Sequence, residues 1–414
     1  MEPALCRAAL WRLCVFSVTL AAVAWLLCSG EAPAAAAPAA PKYVADMAAF
    51  MAEVDKTYPY FDLKGIRADW SAAKMRLTAA AGICRSDTDF LGLVLEAIRC
   101  LRDAHMDLGG LKTKAPERPP LYYPGVSFLP AVGNAVVVMV PPPGNETALP
   151  VGTVVTEIDG KNARQVLDDR AKAAWAKGGS FSSPQRAHLL EYRLPLTTPA
   201  KGEQHRITYL AGRMKKTVVL AAAAEARGWP HAYNLPANLL AVGRSFHYAR
   251  LPSGVCYMYI RRADESTGPG MAEALAKVAG AKGWIVDLRG NGGGGYDEAV
   301  LKTLQGFPKP VAVLIDAGCI SAGETLARDF ARNAGARLFG TATAGSSSSK
   351  RQWAFPSGIA SVTFSVRSRW RADGKPIEFN GIEPDVPVEE VPAEMARGQN
   401  SGILRAEEYL LKKP

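Results

Sequence analysis

Cysteine is scarce in this sequence, and what there is lies in the wrong places for a disulfide scaffold. Of seven cysteines in 414 residues, Cys6, Cys14 and Cys28 fall in an N-terminal apolar stretch, leaving Cys84, Cys100, Cys256 and Cys319. Four thiols in so large a chain exclude a disulfide-stapled fold, although a Cys84–Cys100 bridge stays open in an oxidising compartment. Histidine is scarcer still, at five residues, and no Cys/His spacing resembles a zinc site, so neither a metal nor another cofactor is expected. Dense runs of lysine and arginine are missing despite a formal net charge of +10, which speaks against nucleic acid as a partner. Membrane-length apolar runs are missing too: residues 13–28 give a sixteen-residue run, short of the roughly 20 that a spanning helix needs.

That short run reads instead as an export signal. Arg7 and Arg12 precede it, and an exit rich in alanine and proline follows over residues 31–41. Residues 1–41 are therefore set apart as signal and linker. Cleavage within the alanine run and lipidation at Cys28 both stay open, as does retention as a membrane tether. The expected location is periplasmic or envelope-associated. Two basic and two acidic residues cancel within 1–41, so the exported part keeps the whole +10. The oligomeric state is not legible.

Residues 42–118 read as an N-terminal helical domain. Apolar residues recur at helical spacing over 43–51 and 90–98, and Asp87 or Thr88 is placed to cap the second helix. That helix is expected to run on through Leu101-Arg102-Asp103-Ala104-His105-Met106-Asp107. Over 119–225 the pattern turns to short strands at 126–128 and 135–140, a strand closing on an Asp159-Gly160 turn, a helix over 163–176, and strands at 207–210 and 217–220. This is a small α+β module. From 226 to 414 strands and helices alternate: strands at 255–260, 283–288, 310–316 and 362–366, with helices at 270–279, 296–304 and 324–333. Such alternation predicts an α/β sheet with crossover helices, whose ligand sites lie beyond the carboxyl ends of the strands. A Gly-rich turn at 290–295 and Ser321 both fall there.

Ser321-Ala322-Gly323-Glu324 sits between a strand and a helix. A hydroxyl placed there meets free backbone N–H groups and the positive end of the helix dipole, which is how acyl-transfer enzymes present a serine nucleophile. The same four residues also spell a capping box, with serine at the N-cap and Glu324 at N3. Only the surroundings decide between the two.

Those surroundings supply three more segments: Asp103-Ala104-His105, then Asp287-Leu288-Arg289-Gly290-Asn291-Gly292-Gly293-Gly294, then Ile377-Glu378-Phe379-Asn380-Gly381-Ile382-Glu383-Pro384-Asp385. With Ser321-Ala322-Gly323-Glu324 between the last two, the set resembles the tail-specific, or C-terminal processing, serine peptidase family from about residue 43 to 388. The resemblance implies a ClpP/crotonase-like α/β protease core at 226–414, the N-terminal helical domain at 42–118, and a PDZ-like module at 119–225.

The resemblance also assigns roles. Ser321 would be the nucleophile, with Ala322 N–H and Gly293 of the Gly-rich turn as oxyanion donors. Many members use a lysine base in a Thr-x-Gly-Lys-Gly context. Here the stretch reads Thr343-Ala344-Gly345-Ser346-Ser347-Ser348-Ser349-Lys350, with serine where that lysine belongs. The chain therefore resembles the branch of the tricorn protease core and the interphotoreceptor retinoid-binding protein repeats. In the tricorn type the base is a histidine, which maps to His105, and the carboxylate maps to Glu378. Histidine suits the task because its pKa lies near neutrality, and a carboxylate holds the imidazole tautomer. Ala104 stands where the tricorn core has a serine and Met106 where threonine is usual, so Asp103 or Asp107 could replace Glu378. Asp287, Arg289 and the remaining histidines are expected to be structural.

The resulting expectation is an exported serine endopeptidase taking unfolded or C-terminal peptide segments. Three rivals stand beside it. One is a peptidase whose base is Lys350. Another is a peptide- or lipid-binding protein that kept the fold and lost the chemistry. The last is a dinucleotide-binding domain, since Gly290 to Gly295 fits G-x-G-x-x-G after a strand.

Overall fold

The structure, a computed structural model, describes residues 41–117, 119–228 and 234–412; the export signal expected in the first forty residues and His231 lie outside them. Chain alternation translates into a mixed α/β fold. Helix α1 (Pro41–Thr57) buries Met47, Phe50, Met51 and Val54, the i, i+3, i+4, i+7 stripe of an amphipathic helix. A single helical turn, α2 (Phe61–Lys64), leads into α3 (Arg67–Ala81), which buries Trp70, Ala73 and Leu77, and then α4 (Asp87–Cys100).

Two expectations fail at α4. Its cap is Ser86, whose hydroxyl accepts from Asp89 N at 3.1 Å, so neither Asp87 nor Thr88 fills that place. Nor does the helix continue through His105. It stops at Cys100, and Arg102 takes φ +48, a left-handed backbone that no α-helix accommodates. The turn that follows carries Asp103 and His105 and ends in strand β1 (Asp107–Gly109). Cys84 and Cys100 are both free thiols, so the bridge left open by the sequence does not form.

The next unit pairs β2 (Ser127–Ala131), β3 (Ala135–Val140) and β4 (Val154–Ile158) with β5 (Gln204–Ala211) and β6 (Met214–Ala221), neighbour by neighbour and antiparallel throughout. Helices α5 (Ala163–Lys177) and α6 (Pro184–Arg193) accompany the sheet, and Leu167 and Tyr192 enter its core. Strong polarity hid α6 from the periodicity, yet its start carries a clear signal: Ser183 caps it and Pro184 opens it.

The main sheet has seven strands. In order these are β7 (Leu240–Val242), β8 (Phe246–Arg250), β9 (Cys256–Ile260), β10 (Trp284–Asp287), β11 (Val311–Ile315), β12 (Arg337–Gly340) and, after two further strands in the chain, β15 (Val386–Pro387). From β9 to β15 every pairing is parallel. Every residue of β9, β10 and β11 is buried, as expected for strands covered on both faces. The crossovers are α7 (Thr267–Lys277), α8 (Glu298–Gln305) and α9 (Ala322–Ala334).

Strands β13 (Ser348–Ala354) and β14 (Ser361–Ser368) leave this sheet and form a hairpin that β1 joins, pairing Leu108 with Val362. The helical segment is thereby stitched to the core. Phe50 seals the seam, its ring 5.9 Å from those of both Phe355 and Phe364. Truncating a fully buried aromatic at such a seam removes contacts on both sides. Phe50→Ala is expected to cost about 3–5 kcal/mol, read from the denaturant midpoint at unchanged slope.

Candidate active site

The turn after β11 is strained and firmly held. Ser321 sits at φ +54, ψ −119, a conformation that costs a non-glycine residue on the order of 1–3 kcal/mol. Its N–H donates to Ser346 O at 2.8 Å and to the Glu324 carboxylate at 3.2 Å. Glu324 is fully buried and also accepts from the Thr343 hydroxyl (2.6 Å), Gly345 N (2.7 Å) and Ser346 N (2.8 Å). Burial outweighs the lowering effect of those hydrogen bonds and holds this carboxyl up at about 8. Every partner is a donor, which suits the ionised form. Glu324 therefore does more than the capping role read from sequence: it ties the Ser321 turn to the loop at 343–346.

Around the hydroxyl, Ala322 N–H is at the first helical position and meets no acceptor among the described residues. Gly323 is required by close approach, since a Cβ there would lie 2.6 Å from Asn291 Oδ1. Asn291, not singled out from the sequence, clasps the Gly-rich turn. Its Nδ2 donates to Ile260 O (2.7 Å), and its Oδ1 accepts from Gly293 N (2.9 Å). Gly293 does lie against the serine, for a Cβ there would come within 2.8 Å of Ser321 Cβ. Its N–H, however, is committed to Asn291, so the expected oxyanion donor is free only if that bond is shared or released.

Glu378 belongs to a buried ionic cluster that no local sequence pattern announces. It lies in α10 (Ile377–Asn380), and Lys64 Nζ donates to its Oε1 at 2.8 Å, with both side chains fully buried. The same amine lies 3.6 Å from Asp103 Oδ2 and donates to Arg102 O (2.7 Å) and the Tyr58 hydroxyl (3.0 Å). Burial and the neighbouring Asp103 raise the Glu378 carboxyl, while Lys64 and the Ser182 hydroxyl lower it. Its other oxygen accepts from Ser347 N at 3.0 Å, and Ser347 Oγ donates to Ser321 O at 3.3 Å. Glu378 thus reaches the Ser321 loop through Ser347, and it pairs with Lys64.

Asp103 holds His105 by its backbone, Oδ1 accepting from His105 N at 2.8 Å and from the Ser365 hydroxyl at 3.0 Å. Ser365 is the cross-strand partner of Lys350, which places the histidine turn beside the hairpin. Burial lowers the His105 pKa and Asp103 opposes it; Lys350 and Lys64 lower it further. Among the described residues no hydrogen bond joins His105 to Ser321 or to Glu378, and Nδ1 is buried without a partner. Asp103 Oδ2 and Ser346 Oγ are likewise buried without a hydrogen bond, the former having only the Lys64 amine at 3.6 Å. Ser346 occupies the place of the family lysine. Orphaned polar atoms are uncommon in folded proteins, and three here lie on the segments around the serine.

The residues expected to be structural make ion-pair or hydrogen-bond contacts of their own. Arg289 and Asp287 form a buried pair at 2.6 Å. His188 and His205 face Asp168 and Asp159, at 2.9 and 3.0 Å. No group of three or more metal-ligating side chains occurs among the described residues, and no described helix is long and apolar enough to cross a membrane.

Fold and motifs together support a peptidase. Residues 254–305 and 301–388 match the model of peptidase family S41. This bears out the resemblance drawn from the four motifs. No curated protein matches the sequence. Among solved structures, mature CPAF complexed with lactacystin matches with a TM-score of 0.60 at 13% identity, over 90% of this chain and 97% of that one. The CPAF S499A mutant gives 0.59 at 11% identity, over 90% and 98%. A Parabacteroides merdae ATCC 43184 protein gives 0.53 at 14% identity, over 90% and 98%. At such identities the likeness is one of fold, and it extends beyond the core through the helical and α+β segments.

The Lys64 cluster makes a definite energetic claim. Lys64→Met strands buried carboxylates and should destabilise the protein by about 3–5 kcal/mol in denaturant unfolding. In a Glu378→Gln background the same change should cost clearly less, because one of the stranded charges is gone.

Proposed function

We propose that the protein is an exported serine peptidase that hydrolyses peptide bonds in unfolded or C-terminal segments. The observation that carries this reading is Ser321 itself: a strained serine at a helix N-terminus, beside the uncommitted N–H of Ala322 and against Gly293. Ser321 Oγ attacks the scissile carbonyl, and its proton passes to His105. Burial keeps that imidazole neutral near neutral pH and able to accept a proton. Ala322 N–H, with Gly293 N–H once Asn291 yields it, receives the oxyanion; such a donor is worth about 3 kcal/mol. Glu378 and Asp103 fix the histidine turn through Lys64 and Arg102. The unit at 119–225 serves as a PDZ-like module that delivers the peptide, and the segment at 1–41 directs export or tethers the protein.

The hydroxyl and the imidazole still lack a hydrogen bond, and serine replaces the family lysine. Those two observations favour a second reading, a peptide- or lipid-binding protein on the same fold. Labelling with a fluorophosphonate separates them. Labelling that Ser321→Ala abolishes, with loss of peptide hydrolysis, is the expected outcome; folded protein that stays unlabelled supports the binder.

A pH profile tests the base. With the His105 pKa lowered, the acid limb of kcat/KM should fall below about 6.5, the ordinary imidazole value. Lys350 is a like charge that disfavours the imidazolium, so Lys350→Met should raise the His105 pKa and move the limb to higher pH. If Lys350 is the base instead, the same variant loses activity at every pH and His105→Ala keeps it.

A further inference from the structure

Along the flank of α9 lies an open groove of about 830 Å³. Five arginines line it: Arg328 and Arg332 on one face of α9, Arg367 in β14, and Arg369 and Arg371 just beyond that strand. The lining carboxylates are Asp373 and Glu383, and both face Arg371, at 3.0 and 4.0 Å. Arg328 is paired with Asp329 at 2.7 Å. Arg332, Arg367 and Arg369 are exposed and make no ion pair among the described residues. Between them Trp370 leaves 55% of its surface in solvent, a large aromatic held at the groove by its carbonyl, which accepts from Arg328. Exposed arginine and tryptophan together are the residue types that anchor partners.

One wall of the groove is hydrogen-bonded to the loop beside Ser321. Arg369 N donates to Ser347 O at 3.2 Å, and Ser347 in turn bonds Ser321. Helix α9 begins at the nucleophile, so Arg328 and Arg332 lie about 10 and 16 Å along its axis. An extended peptide covers that span with about three to five residues. That short distance from Ser321 favours a polypeptide occupant over a nucleic acid.

We propose that this groove binds an acidic stretch of the peptide substrate, selecting aspartate or glutamate about three to five residues from the bond held at Ser321. The inference rests on the peptidase reading and adds the class of substrate to it. Charge complementarity supplies the selection, and Trp370 adds apolar contact for the side chains between the acids.

The test keeps binding apart from chemistry. Fluorescein-labelled peptides with glutamate, glutamine or lysine at those positions are titrated by anisotropy onto Ser321→Ala protein at low and high salt. The glutamate peptide is expected to bind about tenfold tighter than the lysine peptide, with the gap closing as salt rises. Adding Arg332→Gln, Arg367→Gln and Arg369→Gln should remove the preference, and the corresponding glutamate substitutions should reverse it. Equal binding of the three peptides, or tighter binding of an oligothymidylate of the same length, overturns the proposal. Hydrolysis of the same peptides by the unaltered protein is the second arm. A preference in anisotropy without any cleavage sinks the peptidase reading and leaves the groove standing; cleavage without preference in either arm sinks the groove and leaves the chemistry.

Discussion

The site hangs on one buried carboxylate. Glu324 gathers four donors, from Ser321, Thr343, Gly345 and Ser346, around a fully buried side chain. Those bonds hold the serine in a backbone conformation that it would otherwise leave. They also fix the loop at 343–346, whose Ser346 carbonyl closes the circle by accepting from Ser321 N–H. A glutamate at this position is a constraint on two loops at once, and the helix cap is a by-product of it.

The second organising element is ionic. Lys64 neutralises Glu378, lies beside Asp103 and holds the carbonyl of strained Arg102. It thereby sets the turn that carries His105 against the hairpin at the core. A lone buried amine or carboxylate would be expelled or neutralised; paired, each keeps the other in place. The hairpin of β13 and β14 completes the joint, with β1 paired along one edge and Phe50 packed beneath. Positioning in this protein is thus divided between hydrogen bonds at the serine and ion pairs at the histidine turn.

Much of this was legible in the sequence where the signal is local. Strands β9 to β11 read as continuous apolar runs, the Asp159-Gly160 turn announced itself, and the Gly-rich turn and Ser321 were placed beyond the carboxyl ends of the strands. What stayed hidden depends on distant partners. Lys64 looks like a solvated lysine at the end of a short helical turn, and only Glu378 makes it a buried one. Strand β13, with Ser-Ser-Lys-Arg-Gln at its start, lacks any alternation and exists because β14 lies beside it. The break at Arg102 shows in the backbone alone. Asn291 passed for one more polar residue in a glycine turn, although its side chain decides which N–H groups remain free.

Lys64 and Glu378 are separated by 314 positions in the chain. During synthesis at roughly 5–20 residues per second, the amine emerges tens of seconds before its carboxylate. Until then the leading helices lack the counter-charge that lets them bury Lys64, and the histidine turn has nothing to fix it. A ribosome-bound or truncated product therefore carries this ionic cluster unassembled until the segment around Glu378 has been made.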